Sequence, residues 1–131
     1  FIRYRLADLG ALASEPCSCG NPLPVLASIE GRIDAVLITR DGRRIGRLDP
    51  IFKGATGIAE SQVVQDSYDR FRIRIVRGCD YTDADGQAVI KNLAQRVGQA
   101  DISVEIVDKI ERTASGKFRA VVCNLPPEQR R

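Results

Sequence analysis

The chain has 131 residues, of which 44% are hydrophobic and 28% charged, with a net charge of +3. That balance suits one compact domain able to own a core, and it excludes a disordered or fibrous chain. No apolar run approaches the ~20 residues of a membrane span, and a mild charge with 5% aromatic residues argues against a nucleic-acid partner.

The N-terminal stretch "FIRYRLADLG" has neither the apolar core nor the cleavage site of a signal peptide. A cytoplasmic protein is therefore expected. The chain also starts without Met and in mid-pattern, as a piece of a longer protein does. Residues 1–29 read as a connector: Tyr4, Leu6 and Leu9 alternate weakly, and Pro16, Gly20, Pro22 and Pro24 then punctuate the chain. The four cysteines are Cys17, Cys19, Cys79 and Cys123, and there is no His. The Cys-Ser-Cys pair could start a zinc site, but a closed site needs four ligands. Cys79 and Cys123 stand far from it, so reduced thiols and no metal site are expected.

From Ile29 the pattern tightens into residues 30–125, the expected main domain. Val36, Leu37 and Ile38 lead into Asp41-Gly42 and a second arm, a hairpin signal because Gly42 takes positive φ without steric cost. Arg32, Arg40, Arg43, Arg44 and Arg47 crowd this region. They are either a solvated basic face or a site for a ligand carrying phosphates. Pro50 behind Asp49 and Gly54 beyond it bracket a short helix.

"SQVVQDSYDRFRIRIV" reads as two strands with a turn at residues 66–69; Phe71, Ile73 and Ile75 alternate with Arg72 and Arg74. A helix follows, capped by Thr82, with Asp83 and Asp85 at its positive end. Ala88, Val89, Leu93 and Val97 form its apolar stripe, widened by Ile90 and Ala94, and Gly98 ends it. Ile102, Val104 and Ile106 mark another strand. A loop, "RTASGK", and a short strand, "FRAVV", come next, and the polar residues 126–131 read as a flexible tail. The expected fold is a small α+β domain: about three main strands backed by helices, plus a separate hairpin.

Three segments together resemble the C-terminal domain of adenylate-forming enzymes, the acyl- and aryl-CoA ligases and their relatives. They are "YRLADLG" at residues 4–10, "GRIDAVLITRDGRRIG" at 31–46 and "RTASGKFRAVV" at 112–122. The first two are similar to the family's Tyr-Arg-Thr-Gly-Asp-Leu segment and its Gly-Arg-x-Asp-Asp hinge with hairpin. The third is similar to its Arg-Thr-x-Ser-Gly-Lys loop. "CSCG", "RIGRLDPIFKG" and "GKFRAVV" look most like the phenylacetate-CoA ligase branch and its relatives associated with capsular polysaccharide synthesis. Leu6 and Ala7 stand where Thr and Gly are usual, and Ala35 replaces the second hinge Asp.

The resemblance implies an intact enzyme that uses ATP, with Mg²⁺, to turn a carboxylic acid, aryl acids included, into an acyl-adenylate and then a coenzyme A thioester. Its N-terminal adenylation domain would carry the acid pocket and the phosphate-binding loop, and this piece alone would be inactive. Lys117 would be the catalytic lysine of adenylation, Asp8 would bind the ribose hydroxyls, and Arg32 would bind ATP phosphate or ribose. Asp34 would be the hinge, and Gly42 and Arg44 would approach coenzyme A. The acceptor is left open between coenzyme A and a carrier protein or amine, and a non-catalytic nucleotide- or partner-binding module remains the rival reading.

Overall fold

The computed structural model describes residues 8–32, 36–114 and 116–130. The chain divides into two compact units, Phe1–Ile33 and Asp34–Arg131. In the first, β1 (Asp8–Leu12) and β2 (Leu26–Arg32) pair antiparallel, with register shifts after Leu9 and Ala11. The sequence carries no strand alternation here for a physical reason. Leu12, Leu26 and Ile29 are all exposed, so neither face of the ribbon demands the period-two pattern that marks a half-buried strand.

The second unit is α+β, as expected. A hairpin of β3 (Leu37–Ile38) and β4 (Arg44–Ile45) opens it, and a single 3₁₀ turn over Asp49–Phe52 follows. Its main sheet has four strands rather than about three, in the order β7-β6-β5-β8. The long pair β5 (Ile58–Ser67) and β6 (Arg70–Arg77) is antiparallel and central. The turn between them is tighter than residues 66–69, because β5 continues through Ser67. β7 (Asp101–Ile106) lies parallel to β6, and β8 (Val121–Cys123) lies parallel to β5.

Parallel pairing requires a crossover, and α1 (Asp83–Val97) supplies it between β6 and β7. The amide of Thr82 and its hydroxyl both donate to Asp85 Oδ2, at 2.8 and 3.0 Å, so a side chain three residues into the helix ties down its entry. Asp85 is buried, and the Gly57 amide reaches its other oxygen at 3.5 Å.

The core lies between the sheet and α1. Phe71, Ile73 and Ile75 of β6 are fully buried against Val89 and Leu93 of α1, with Leu37, Ile51, Val63 and Val121 completing the layer. The helical stripe and the strand alternation read from the sequence are the two faces of this layer. Asn92 fastens α1 to the 3₁₀ turn by donating to the Ile51 and Lys53 carbonyls at 2.9 and 3.2 Å. Ile106 departs from the expected alternation: it ends an edge strand and is 44% exposed.

At the C-terminal end, Leu125 is buried and Pro127–Arg130 make a second 3₁₀ turn. Its backbone carbonyls accept from Tyr68 Oη at Gln129, 3.2 Å, and from Arg44 Nη2 at Arg130, 2.9 Å.

Candidate functional site

The "RTASGK" segment is a closed turn, tighter than the flexible loop its composition suggests. The Thr113 amide donates to the Lys117 carbonyl at 2.9 Å, and the Lys117 amide donates back to Thr113 Oγ1 at 3.0 Å. The Gly116 amide closes a smaller ring onto the Thr113 carbonyl at 2.7 Å, with Gly116 at φ +76°. A left-handed residue here turns the chain back within four residues, which favours Gly. Ser115 lies outside the described residues. Lys117 is exposed at the turn's exit.

The flanks of this turn are pinned to β5. Arg112 donates to Glu60 Oε1 at 2.6 Å, and its guanidinium sits 4.6 Å from the centroid of the Phe118 ring. A cleft of about 390 Å³ opens beside them, lined by Phe52, Ile58, Arg112, Phe118 and Ala120 among others. Neither Arg112 nor Glu60 was singled out from the sequence. They are 52 positions apart and meet only in the folded chain.

The hairpin sits at the other end of β5. Gly42 has φ +81° and its amide donates to the Thr39 carbonyl at 2.9 Å, so the Asp-Gly turn forms as expected. Thr39 is buried, and its hydroxyl donates to Asp41. That bond, and then the Arg43 guanidinium at 2.6 Å, hold the Asp41 carboxyl down to about 2. Arg40 pairs with Asp69 at the β5–β6 turn. These residues line a cleft of about 590 Å³ together with Tyr68. Arg44 is exposed and donates to the Arg130 carbonyl.

Lys117 and the Gly42–Arg44 pair are thus held apart by a strand. The lysine turn is tied to Glu60, and the hairpin is tied to Gln65 and Asp69. At ~3.3 Å rise per residue, Glu60 and Ser67 stand roughly 20 Å apart.

The other expected site residues belong to the first unit or the junction. Asp8 and Arg32 are cross-strand partners at the start of the β1–β2 ribbon, which brings the two expected nucleotide contacts onto neighbouring backbone positions. Asp34 lies outside the described residues. It is the first residue of the second unit.

The outer face of the sheet carries the arginines of β6. Arg72 bonds Asp66 through two nitrogens, at 2.5 and 3.0 Å, and reaches Glu105 at 3.2 Å. Both interactions push its pKa up, and Arg72 followed by Asn124 holds the Asp66 carboxyl below its usual value. These charges are spent on one another, which fits the wet strand face read from the sequence. Among the described residues no three His, Cys, Asp or Glu side chains group as metal ligands. No helix among them is long and apolar enough to cross a membrane.

A family model described as the CapK C-terminal domain matches residues 37–124. No curated protein matches the chain. Among solved structures it is similar to an open conformation of 2-hydroxyisobutyryl-CoA ligase in complex with 2-HIB-AMP and CoA, at 22% identity and a TM-score of 0.48. The match covers 88% of this chain and 27% of that one.

Proposed function

From the premise that this chain belongs to the CapK C-terminal domain family, we propose that it serves as the mobile C-terminal domain of an AMP-forming carboxylate–CoA ligase of the phenylacetate-CoA ligase type. The observation that carries the reading is the Thr113–Lys117 turn: two backbone bonds and one side-chain bond deliver an exposed ammonium just past a left-handed glycine. It stands at the opposite end of β5 from a second turn rich in arginine.

In the proposed reaction the acid carboxylate attacks the α-phosphate of ATP and pyrophosphate leaves. Two anions must meet, and negative charge builds on the phosphoryl oxygens. Lys117 answers that need with a compact charge and three donors on a long stem. A charge pair at ~4 Å and an effective dielectric near 20 is of order 4 kcal/mol, and a preorganised donor is typically worth ~10²–10³ in rate. Asp8 accepts from the ribose hydroxyls and Arg32 contacts phosphate or ribose, a pairing supported by their cross-strand register.

The domain then turns about Asp34, so that the hairpin faces the site in place of the lysine. The boundary between the two units, Ile33 to Asp34, supports a hinge there. Gly42 leaves room beside its backbone for the pantetheine arm, since nothing lies within 4 Å of the position its Cβ would take. Arg44 meets the phosphates. The coenzyme A thiol attacks the acyl carbonyl and AMP leaves.

The test uses the full-length protein, with and without Lys117→Ala. ATP–pyrophosphate exchange is followed across aryl and aliphatic acids, and thioester formation is followed from preformed acyl-adenylate. Loss of exchange by two decades with the thioester step retained is the expected result. Survival of both steps overturns the reading and favours a binding module. Activity with a holo-carrier protein and none with free coenzyme A moves the acceptor assignment.

A further inference from the structure

Residues 126–131 read from the sequence as a flexible tail, yet their described part, through Arg130, is bonded into the fold. Leu125, just before it, is buried. The Asn124 amide donates to the Gln65 carbonyl at 2.8 Å, and the Asn124 side chain donates to Asp66 Oδ1 at 2.9 Å, so the chain leaves β8 fastened to the end of β5. The Gln129 amide then donates to the Pro126 carbonyl at 2.9 Å, and Arg130 Nε donates to the Leu125 carbonyl at 2.5 Å. These bonds close the segment on itself. The last carbonyls of a helical turn have no partner within it. Here the hydroxyl of Tyr68, between β5 and β6, donates to that of Gln129, and Arg44 of β4 donates to that of Arg130.

We infer that this C-terminal turn positions Arg44, holding its guanidinium ready for a phosphate of coenzyme A, with Tyr68 keeping the turn in register. The inference rests on the function proposed above, in which Arg44 meets those phosphates. Two observations support it. Arg44 stands exposed on a strand of two residues, and the Arg130 carbonyl is the partner its guanidinium has among the described residues. A free arginine loses rotamer freedom when a ligand immobilises it. One tethered beforehand loses less, which favours binding. The bond occupies a single nitrogen of the fork, and the other N–H groups stay available to phosphate oxygens. Separately, Tyr68 reaches the neighbouring carbonyl from 61 positions away, so the turn is placed by the β5–β6 end of the sheet and not by Arg44 alone.

Both tethers are exposed. An exposed hydrogen bond adds little to folding, so removing them separates positioning from stability.

The test follows thioester formation by the full-length protein from preformed acyl-adenylate, with coenzyme A varied. Deleting residues 126–131 keeps the Leu125 anchor. It should raise the KM for coenzyme A about three- to tenfold and leave kcat within about twofold. Tyr68→Phe keeps the ring and should raise KM by about twofold with little change in the melting temperature. Arg44→Ala should raise KM at least as far as the deletion. Combining the two should add nothing further, because the turn acts through that side chain. If Arg44→Ala raises KM and neither the deletion nor Tyr68→Phe does, the inference is overturned and the proposed function stands. A KM that falls on deletion also overturns it and makes the turn a latch over the site. So does a deletion effect that persists in full in Arg44→Ala. No effect of Arg44→Ala, or no thioester from the wild type, overturns both the inference and the place of Arg44 in the proposed function.

Discussion

Gln65 grips Ile38 by both ends of its backbone. Its Oε1 accepts from the Ile38 amide at 2.9 Å and its Nε2 donates to the Ile38 carbonyl at 2.6 Å, with Gln65 fully buried. A side-chain amide thus reproduces the paired bonds of an antiparallel ladder and fastens the β3–β4 hairpin to β5.

Gln65→Met keeps the volume and removes both bonds, stranding a buried amide and carbonyl. A loss of about 2–4 kcal/mol is expected, since each stranded group costs ~1–3 kcal/mol. Urea unfolding measures it. Hydrogen exchange at Ile38 and Thr39 should rise more than exchange in α1, and uniform loss across both would mean that Gln65 serves the whole core rather than the hairpin.

Gly57 has no room for a methyl group. A Cβ there would lie 2.4 Å from Tyr81 Cα and 2.7 Å from the Asp80 carbonyl oxygen. Gly57→Ala should cost about 1–3 kcal/mol by overpacking. Gly54→Ala is the comparison: that glycine has φ +86° and open space around it, so only about 1 kcal/mol of backbone strain is expected. Equal losses in thermal melts would remove the steric account.

Gly116→Val should cost about 1 kcal/mol or a little more of backbone strain, a drop of several degrees in the melting temperature, while displacing Lys117. A β-branched residue resists the +76° φ of this turn. In the full-length protein, pyrophosphate exchange should fall about tenfold or more, a shift of ~1.4 kcal/mol. The thioester step from preformed adenylate should be retained. Unaltered exchange would show that the turn does not aim the lysine.

Acid should unfold the domain through Asp66 and Asp85. Arg72 lowers the Asp66 pKa, and the Thr82 amide lowers that of Asp85, both from an ordinary 3.8. A carboxyl whose folded pKa is depressed stabilises fully above its unfolded value, and that stability fades as pH drops through the folded value. The melting temperature should therefore hold from pH 7 to about 4 and fall below it. Asp66→Asn and Asp85→Asn should start lower and fall less steeply; parallel curves would assign acid unfolding to other groups.

Where one face of an element is buried, its residues announced it. The alternation around Phe71 and Ile73 and the stripe through Val89 and Leu93 became β6 and α1, and the Asp41-Gly42 and Gly116-Lys117 turns formed where glycine was needed. The β1–β2 ribbon was illegible because its described side chains, Leu12, Leu26 and Ile29 among them, are exposed. The place of β8 was also hidden: three residues cannot say which strand they will join. The Arg112–Glu60 and Gln65–Ile38 ties span 52 and 27 positions, and no local pattern encodes a partner at that range.

A stiff strand with a different implement at each end imposes exclusivity. A cleft facing the lysine turn of β5 cannot at the same moment hold the arginine hairpin roughly 20 Å away. Under the proposed function no separate sensor is needed to keep the two steps in order. In the proposed reaction the coenzyme A thiol could then enter only after the ammonium has gone. Sequence in time follows from separation in space.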